Sequence, residues 1–464
     1  MLCRRLVSPC GCLMVNVPSP SRRNLLLGLA ALSAIRLSPV VAEERTLVAH
    51  PADSFVEFLG INTHFWNRSS VYSKQFDACR ARLRDLGIRY LRDSASGNYT
   101  DYAARVRDLH RDGLRFNFIV DPRPPTDGVA KGIDFVRGVR EAAVSIEGPN
   151  EYDASRDPDW RTTLPAFQRD LHSAAREQFG DALPVIAPSC INTDACVAAL
   201  GDMSGSADRC NLHHYFSGRN PGTVGWGRRD ALGRYGSLPW ALGKVQRQVP
   251  GRPVVVTESG YTTAMENPGG HRPVTEAIAG RYLPRMCLEF FNAGVERLFI
   301  YELLNAAADS RRRNAPEFGL LRDDANASPT PAFQALRNVI KLLAEPNAAR
   351  FEPRPLTVQI PGAGPDVRTV LFQKSHGAFY LALWLEVPGW EPNAQRLIPV
   401  SPREIRVVAD AGTASGKSAA SLLQHLSLHT LDEEGAVRTT RPRATASGVP
   451  LVVTDRVTIL EMAA

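Results

Sequence analysis

The stretches Ile146-Glu147-Gly148-Pro149-Asn150-Glu151 and Val254-Val255-Val256-Thr257-Glu258-Ser259-Gly260 decide how this chain folds. Each belongs to an apolar, β-branched run of the kind that forms a buried parallel strand, and each sets a glutamate where the strand should stop. Working outward, short apolar runs alternate with amphipathic stretches from about residue 54 to 345, the signature of βα units. Strands are expected at Phe55–Asn62, Ile88–Arg92, Arg115–Val120, Ala143–Gly148, Pro184–Ala187, Arg209–His213, Pro253–Thr257 and Arg297–Tyr301. Helix-compatible segments separate them, among them 74–86, 101–112, 162–179 and 274–292. Eight such repeats give an α/β fold, the (β/α)8 TIM barrel. An open doubly wound sheet is disfavoured because no glycine-rich phosphate turn follows the first strand.

After about residue 350 the character changes. Pro353 and Pro355 mark a linker, and β-rich runs at 367–373, 378–386, 404–408, 451–454 and 457–462 predict a small antiparallel β-sandwich, with a loop of small residues at 412–421. The expected organisation is a signal peptide over 1–42, a catalytic barrel over 43–347 and an accessory sandwich over 348–464.

The chain carries 55 basic and 48 acidic side chains. Arg4, Arg5, Arg22, Arg23 and Arg36 all lie in the first 42 residues, which hold no acidic residue, so the remainder is close to neutral and no nucleic-acid partner is expected. Arg22-Arg23 precede an apolar core, Leu25 to Ile35, that is too short to span a bilayer, and Val40-Val41-Ala42 offers small residues for cleavage. This resembles a twin-arginine export signal, so a periplasmic or extracellular protein is expected, with no membrane span and as a monomer. Beyond the signal, Cys79, Cys190, Cys196, Cys210 and Cys287 are an odd set, leaving at least one free thiol. Cys190 and Cys196 can bridge each other, or either can reach Cys210. No CxxC pair or Cys/His cluster suggests zinc, and no cofactor or metal is expected.

Carboxylates at the C-terminal ends of two barrel strands converge on one cleft. Two carboxyls, one protonated to assist a leaving oxygen and one ionised to attack carbon, are what cleavage of a glycosidic bond requires. Glu151 is the expected acid/base and Glu258 the expected nucleophile. Asn150-Glu151 ending strand four and Glu258 ending strand seven resemble glycoside hydrolase clan A, the retaining cellulase-type superfamily, with family 39 or family 5 nearest in flavour. The resemblance extends to His213-His214-Tyr215 on strand six, to Arg92 ending strand two, and to Phe318-Gly319-Leu320-Leu321 with Pro329 and Pro331. It implies that Asn150 binds the sugar 2-hydroxyl, Tyr215 hydrogen-bonds the nucleophile, His213 lines the sugar site and Arg92 sits beside the nucleophile. Gly148-Pro149, Tyr152 and Tyr301-Glu302 depart from the clan's common pattern.

Other residues are candidates on position alone. His64 and Tyr301 are expected to face the cleft, and Trp226 is a candidate sugar platform. Asp121 and Asp93 divide between sugar contact and turn formation, and Glu302 shares Tyr301's position. Glu147, inside its strand, is expected to pair with an arginine such as Arg92. Two rival functions remain in view. A non-catalytic carbohydrate-binding barrel would keep the fold without the chemistry. A metal-dependent barrel hydrolase would use His213 and His214, but neighbouring strand residues face opposite ways.

Overall fold

A computed structural model describes residues 45–97, 100–191, 193–227, 232–266, 271–305, 317–361, 363–410 and 424–463. The export signal and the 412–421 loop lie outside the described residues.

Eight parallel strands form the barrel: Leu59–Asn62, Tyr90–Ser94, Arg115–Ile119, Ala143–Glu147, Val185–Ile186, Cys210–His213, Val254–Ser259 and Arg297–Ile300. They are named here strands one to eight. Their hydrogen-bonded order is five-four-three-two-one-eight-seven-six. The ring closes between five and six through the Ile186–Arg209 bridge. Each strand agrees with its expected segment to within a residue or two except the first. There Ala52–Phe58 is a helix, and only Leu59–Asn62 is extended. The reason is periodicity: Ala52, Phe55, Val56 and Leu59 fall on one helical face, and all are buried.

The barrel interior is layered. A lower apolar layer comprises Tyr90, Ile186, Val255 and Phe299. Gly60 makes room for it, since a Cβ there would lie 2.4 Å from the Phe299 ring. Above it lies a polar layer of Asn62, Arg92, Asn117, Ser145, Glu147, Asn211 and Thr257, all buried. The site stands on that layer.

The sandwich has two sheets. One runs Arg45–Val48, Pro355–Gln359, Arg403–Asp410, Val449–Val453. The other runs Val437–Thr440, His425–Leu431, Thr458–Ala463, Phe379–Leu385, Val367–Gln373 and His50–Pro51. Residues 45–51, expected within the barrel segment, are thus strands of the sandwich. The run Phe379-Tyr380-Leu381-Ala382-Leu383-Trp384-Leu385 shows why it is apolar throughout: alternate side chains serve different cores. Phe379, Leu381, Leu383 and Leu385 fill the sandwich. Tyr380, Ala382 and Trp384 pack into the barrel's outer core.

That interface also holds charge. Arg285, on the helix Glu276–Asn292, donates to Glu386 from Nε at 3.0 Å and from Nη2 at 2.5 Å. Glu386 also accepts from Trp384 Nε1, Asn220 Nδ2 and the Gly222 amide. Trp384 and Trp390 are both buried, so neither offers a face to a sugar. Among the described residues no helix is long and apolar enough to cross a membrane.

Candidate active site

Arg92, 3% exposed, is the hub of the polar layer. Its Nε and Nη2 donate to the two oxygens of Glu147, each at 2.7 Å. Nη2 also donates to Asn150 Oδ1 at 2.7 Å, and Nη1 to Asn62 Oδ1 and Glu258 Oε1, both at 2.8 Å. All five guanidinium hydrogens therefore have acceptors, the condition under which burying this group is tolerable. Glu147, fully buried, further accepts from Asn117 Nδ2 at 2.5 Å and Asn211 Nδ2 at 3.0 Å. It is a structural counter-charge, since every lone-pair direction is taken.

Glu258 Oε1 accepts from Arg92 and Oε2 from the Tyr215 hydroxyl at 2.9 Å. Glu151 Oε1 lies 2.9 Å from His213 Nδ1, and the same nitrogen lies 3.4 Å from Glu258 Oε2. The hydrogen-bond network decides the histidine's tautomer. Asn211 Nδ2 donates to Glu147 and to Ala187 O, which leaves Asn211 Oδ1 as an acceptor for the Thr257 hydroxyl at 2.6 Å. With its proton so committed, Thr257 Oγ1 accepts from His213 Nε2 at 3.0 Å. Nε2 therefore bears a hydrogen, and Nδ1 and Glu151 Oε1 face each other across the position of one shared proton.

Electrostatics act on that pair in opposite directions. Burial would push the Glu151 carboxyl up, but its hydrogen bond with His213 and the charges of His213 and Arg92 hold it below the usual range. Burial would lower His213, yet the Glu258 and Glu151 charges raise it above its ordinary value. His214, by contrast, is brought down to about 4 by burial. Its ring packs edge-on against Phe216, away from the carboxylates.

Glu151 sits at φ +45°, the left-handed region, which costs a non-glycine residue about 1–2 kcal/mol. Its neighbours hold it there. Asp121 Oδ2 accepts from the Asn150 amide at 3.0 Å, and Arg123 donates to the Asn150 carbonyl while pairing with Asp121. Asp121 is thus a turn former. Asp93 is one too: it accepts from Thr63 Oγ1 and the Phe65 and Ser94 amides, and burial pushes it up to about 6. Asn150 Oδ1 is fixed by Arg92, which leaves its Nδ2 to donate elsewhere.

The structure gathers Arg92, Asn150, Glu151, His213, Tyr215 and Glu258 in one hydrogen-bonded cluster. His64 and Tyr301 join its edge, with ring centroids 5.9 Å apart. His64 Nε2 lies 3.3 Å from the buried Glu302, which also accepts from Tyr72 at 3.2 Å. Trp226 is not brought into the cluster by any contact among the described residues. It packs within its own loop against Arg219 at 4.6 Å, Tyr235 and Gly236. His271 was not foreseen. Its ring lies 4.6 Å from Tyr215 and 5.4 Å from Phe318, where it feels the charges of both glutamates, and burial lowers its pKa. It lies in a long loop well past strand seven, where no strand-end pattern points to it.

No protein-family model matches this sequence, and no curated protein matches it. Solved structures do. The catalytic domain of GH30 xylanase C from Talaromyces cellulolyticus superposes with a TM-score of 0.51 at 10% identity, over 91% of this chain and 98% of that one. In fold, this chain is similar to that enzyme domain. More distant likenesses include a Rhizomucor miehei beta-1,3-glucanosyltransferase (TM-score 0.41, 14% identity, 59% of this chain and 96% of that one). A GH128 endo-beta-1,3-glucanase from Amycolatopsis mediterranei is another (0.39, 18%, 60% and 98%). The barrel with a C-terminal sandwich expected from the sequence is therefore an architecture shared with a known xylanase over nearly the whole of both chains.

Proposed function

We propose that this protein is an exported, retaining glycoside hydrolase that cleaves O-glycosidic bonds of a polysaccharide or oligosaccharide by double displacement. One observation carries the reading: oxygens of Glu151 and Glu258 and Nδ1 of His213 all lie within 4.8 Å of one another. A carboxyl pair about 5–5.5 Å apart suits a retaining enzyme, whereas an inverting one leaves about 6.5–9.5 Å for a water.

In this reading Glu258, oriented by Arg92 and Tyr215, attacks the anomeric carbon. The bond to the leaving oxygen breaks, and Glu151 protonates that oxygen. His213 supplies the coupling. The Glu258 charge is the largest of those that hold the shared proton on Nδ1. Attack converts that carboxylate into a neutral ester, so the proton passes to Glu151 as the leaving group departs. Glu151 then deprotonates water, which displaces the sugar from Glu258. The Asn150 amide is placed to donate to the sugar 2-hydroxyl, and the His64, Tyr215, Tyr301 and His271 rings line the sugar's surroundings.

Proton NMR of the earliest products tests the mechanism, with xylan first among the substrates. Retention of anomeric configuration is expected, and inversion overturns it. Glu151→Gln separates the rival readings. It abolishes turnover here, whereas a carbohydrate-binding barrel has no turnover to lose. Stoichiometric metal on Glu151, His213 and Glu258, found by elemental analysis, overturns the metal-free scheme. Export is supported by the arginine pair and by the Cys190–Cys196 bridge, which suits an oxidising compartment. Arg22→Lys with Arg23→Lys should retain the protein in the cytoplasm, and an unchanged distribution on fractionation overturns that route.

A further inference from the structure

We infer that the disulfide-anchored segment Ser189-Cys190-Ile191 is the positioning device for the acid/base, and that breaking the disulfide selectively removes proton assistance to the leaving group. The inference rests on the reading of Glu151 as acid/base.

Glu151 is held in a left-handed conformation that its own side chain does not favour. Bonds to residues 189–191 bracket it on both sides. Ser189 N donates to Pro149 O at 3.2 Å, and Ser189 Oγ accepts from the Glu151 amide at 3.0 Å. That hydroxyl also reaches Asn150 Oδ1 at 3.4 Å, and the Ile191 amide donates to Asp153 Oδ1 at 3.0 Å. The acid/base turn is therefore docked, residue by residue, on the segment after strand five.

What fixes that segment is covalent. Cys190 is bonded to Cys196, which lies in the helix Thr193–Leu200. Cys196, Val197 and Leu200 are buried, so the helix is seated in the core. The bridge ties the residue next to Ser189 to that seat. Strand five itself is only two residues long, Val185–Ile186, and cannot hold the segment by pairing alone. Among the described residues this is the one disulfide, while Cys79, Cys210 and Cys287 are buried thiols. The mechanism demands most of Glu151 when the leaving group is poor, because an acidic phenol departs without a proton. Misplacement by about an ångström costs up to roughly a hundredfold.

The test uses the full chain and aryl xylosides and glucosides whose phenols span a range of acidity. kcat/KM is measured for wild type with and without a thiol reductant, for Ser189→Ala, for Cys190→Ser with Cys196→Ser, and for Glu151→Ala as reference. Circular dichroism checks that each is folded. The expected result is a steeper dependence on leaving-group acidity in the reduced protein and in the variants. The loss should be about ten- to a hundredfold on the least acidic phenol and under about threefold on 2,4-dinitrophenol. A uniform loss across the series, or none, overturns the inference. If Glu151→Ala itself leaves the slope unchanged, it is the acid/base assignment that fails. Ser189→Ala keeps the disulfide and nearly the same volume, so it tests the segment's hold on Glu151, and reduced wild type tests the disulfide itself, even where the cysteine variants fold poorly.

Discussion

His213 Nδ1 is the atom on which both carboxylates converge, so the pH profile reports on it. With His213 raised above its ordinary value, the shared proton stays on the pair to higher pH than a carboxyl alone would allow. Activity should fall on the alkaline side as that proton is lost. In His213→Gln the limb should move to lower pH, because Glu151 must then hold the proton by itself. Profiles of kcat/KM on one substrate check this, and an unmoved limb would remove His213 from the proton's path. Arg92→Leu makes a different prediction. It strands the charge of Glu147, fully buried, and weakens the hold on Glu258, at a cost of about 3–5 kcal/mol in urea unfolding. The two glutamates were legible in the sequence because each stands near a strand end, where charge interrupts an apolar run, whereas Asn150, Tyr215 and Arg92 were named by the resemblance their motifs carry. Asn62, Asn117, Asn211 and Thr257 were not legible. Asn117 and Asn211 are single polar residues inside strands, Asn62 and Thr257 run on into further polar residues, and only the closed barrel shows that the four face one another. The position of Trp226 outside the cluster was not legible, because aromatic type alone says nothing of which way a loop turns.

At the scale of elements, the helix Glu276–Asn292 is pressed between barrel and sandwich, and it carries a partly buried acid. Glu289, 3.6 Å from Arg368, is pushed up to about 7 by burial and by the neighbouring Glu386 charge, from an ordinary 4.5. Its folded form therefore holds a proton between pH 4.5 and 7 that the unfolded chain has released. Stability from this group is fully present below that window and is lost as pH rises through it, by on the order of 3 kcal/mol. Glu289→Gln, which has no charge to bury, should raise Tm relative to wild type by several degrees at pH 8 and by little at pH 5. Scanning calorimetry at the two values checks it; equal shifts at both would show that the carboxyl's ionisation does not matter. Sequence periodicity located this helix to within two residues of its true start, because a run this long has room to show its period. The seven residues of Ala52–Phe58 do not, and they merged with the strand behind them.

For the whole molecule, the sandwich strand Phe379–Leu385 belongs to two cores at once, and Arg285–Glu386 crosses between them. Barrel and sandwich should therefore melt together. A single calorimetric transition is expected, and two separable ones would show that the shared strand does not couple them. The sandwich was legible as a run of strands, but its membership was not: strands Arg45–Val48 and His50–Pro51 have no local turn linking them to their partners.

Those two strands have a consequence for the order of events in the cell. The first pairs with residues 355–358 and the second with residues 372–373, so the barrel is spliced into the middle of a sandwich whose opening pieces are made first and whose partners are made last. A ribosome must finish more than three hundred residues before Arg45 can find Val358. Until then the opening strands have an unpaired edge and Ala49 lacks its sandwich core. A chain threaded through a membrane as it emerged would meet that core only on the far side. One carried across after synthesis would already have closed it.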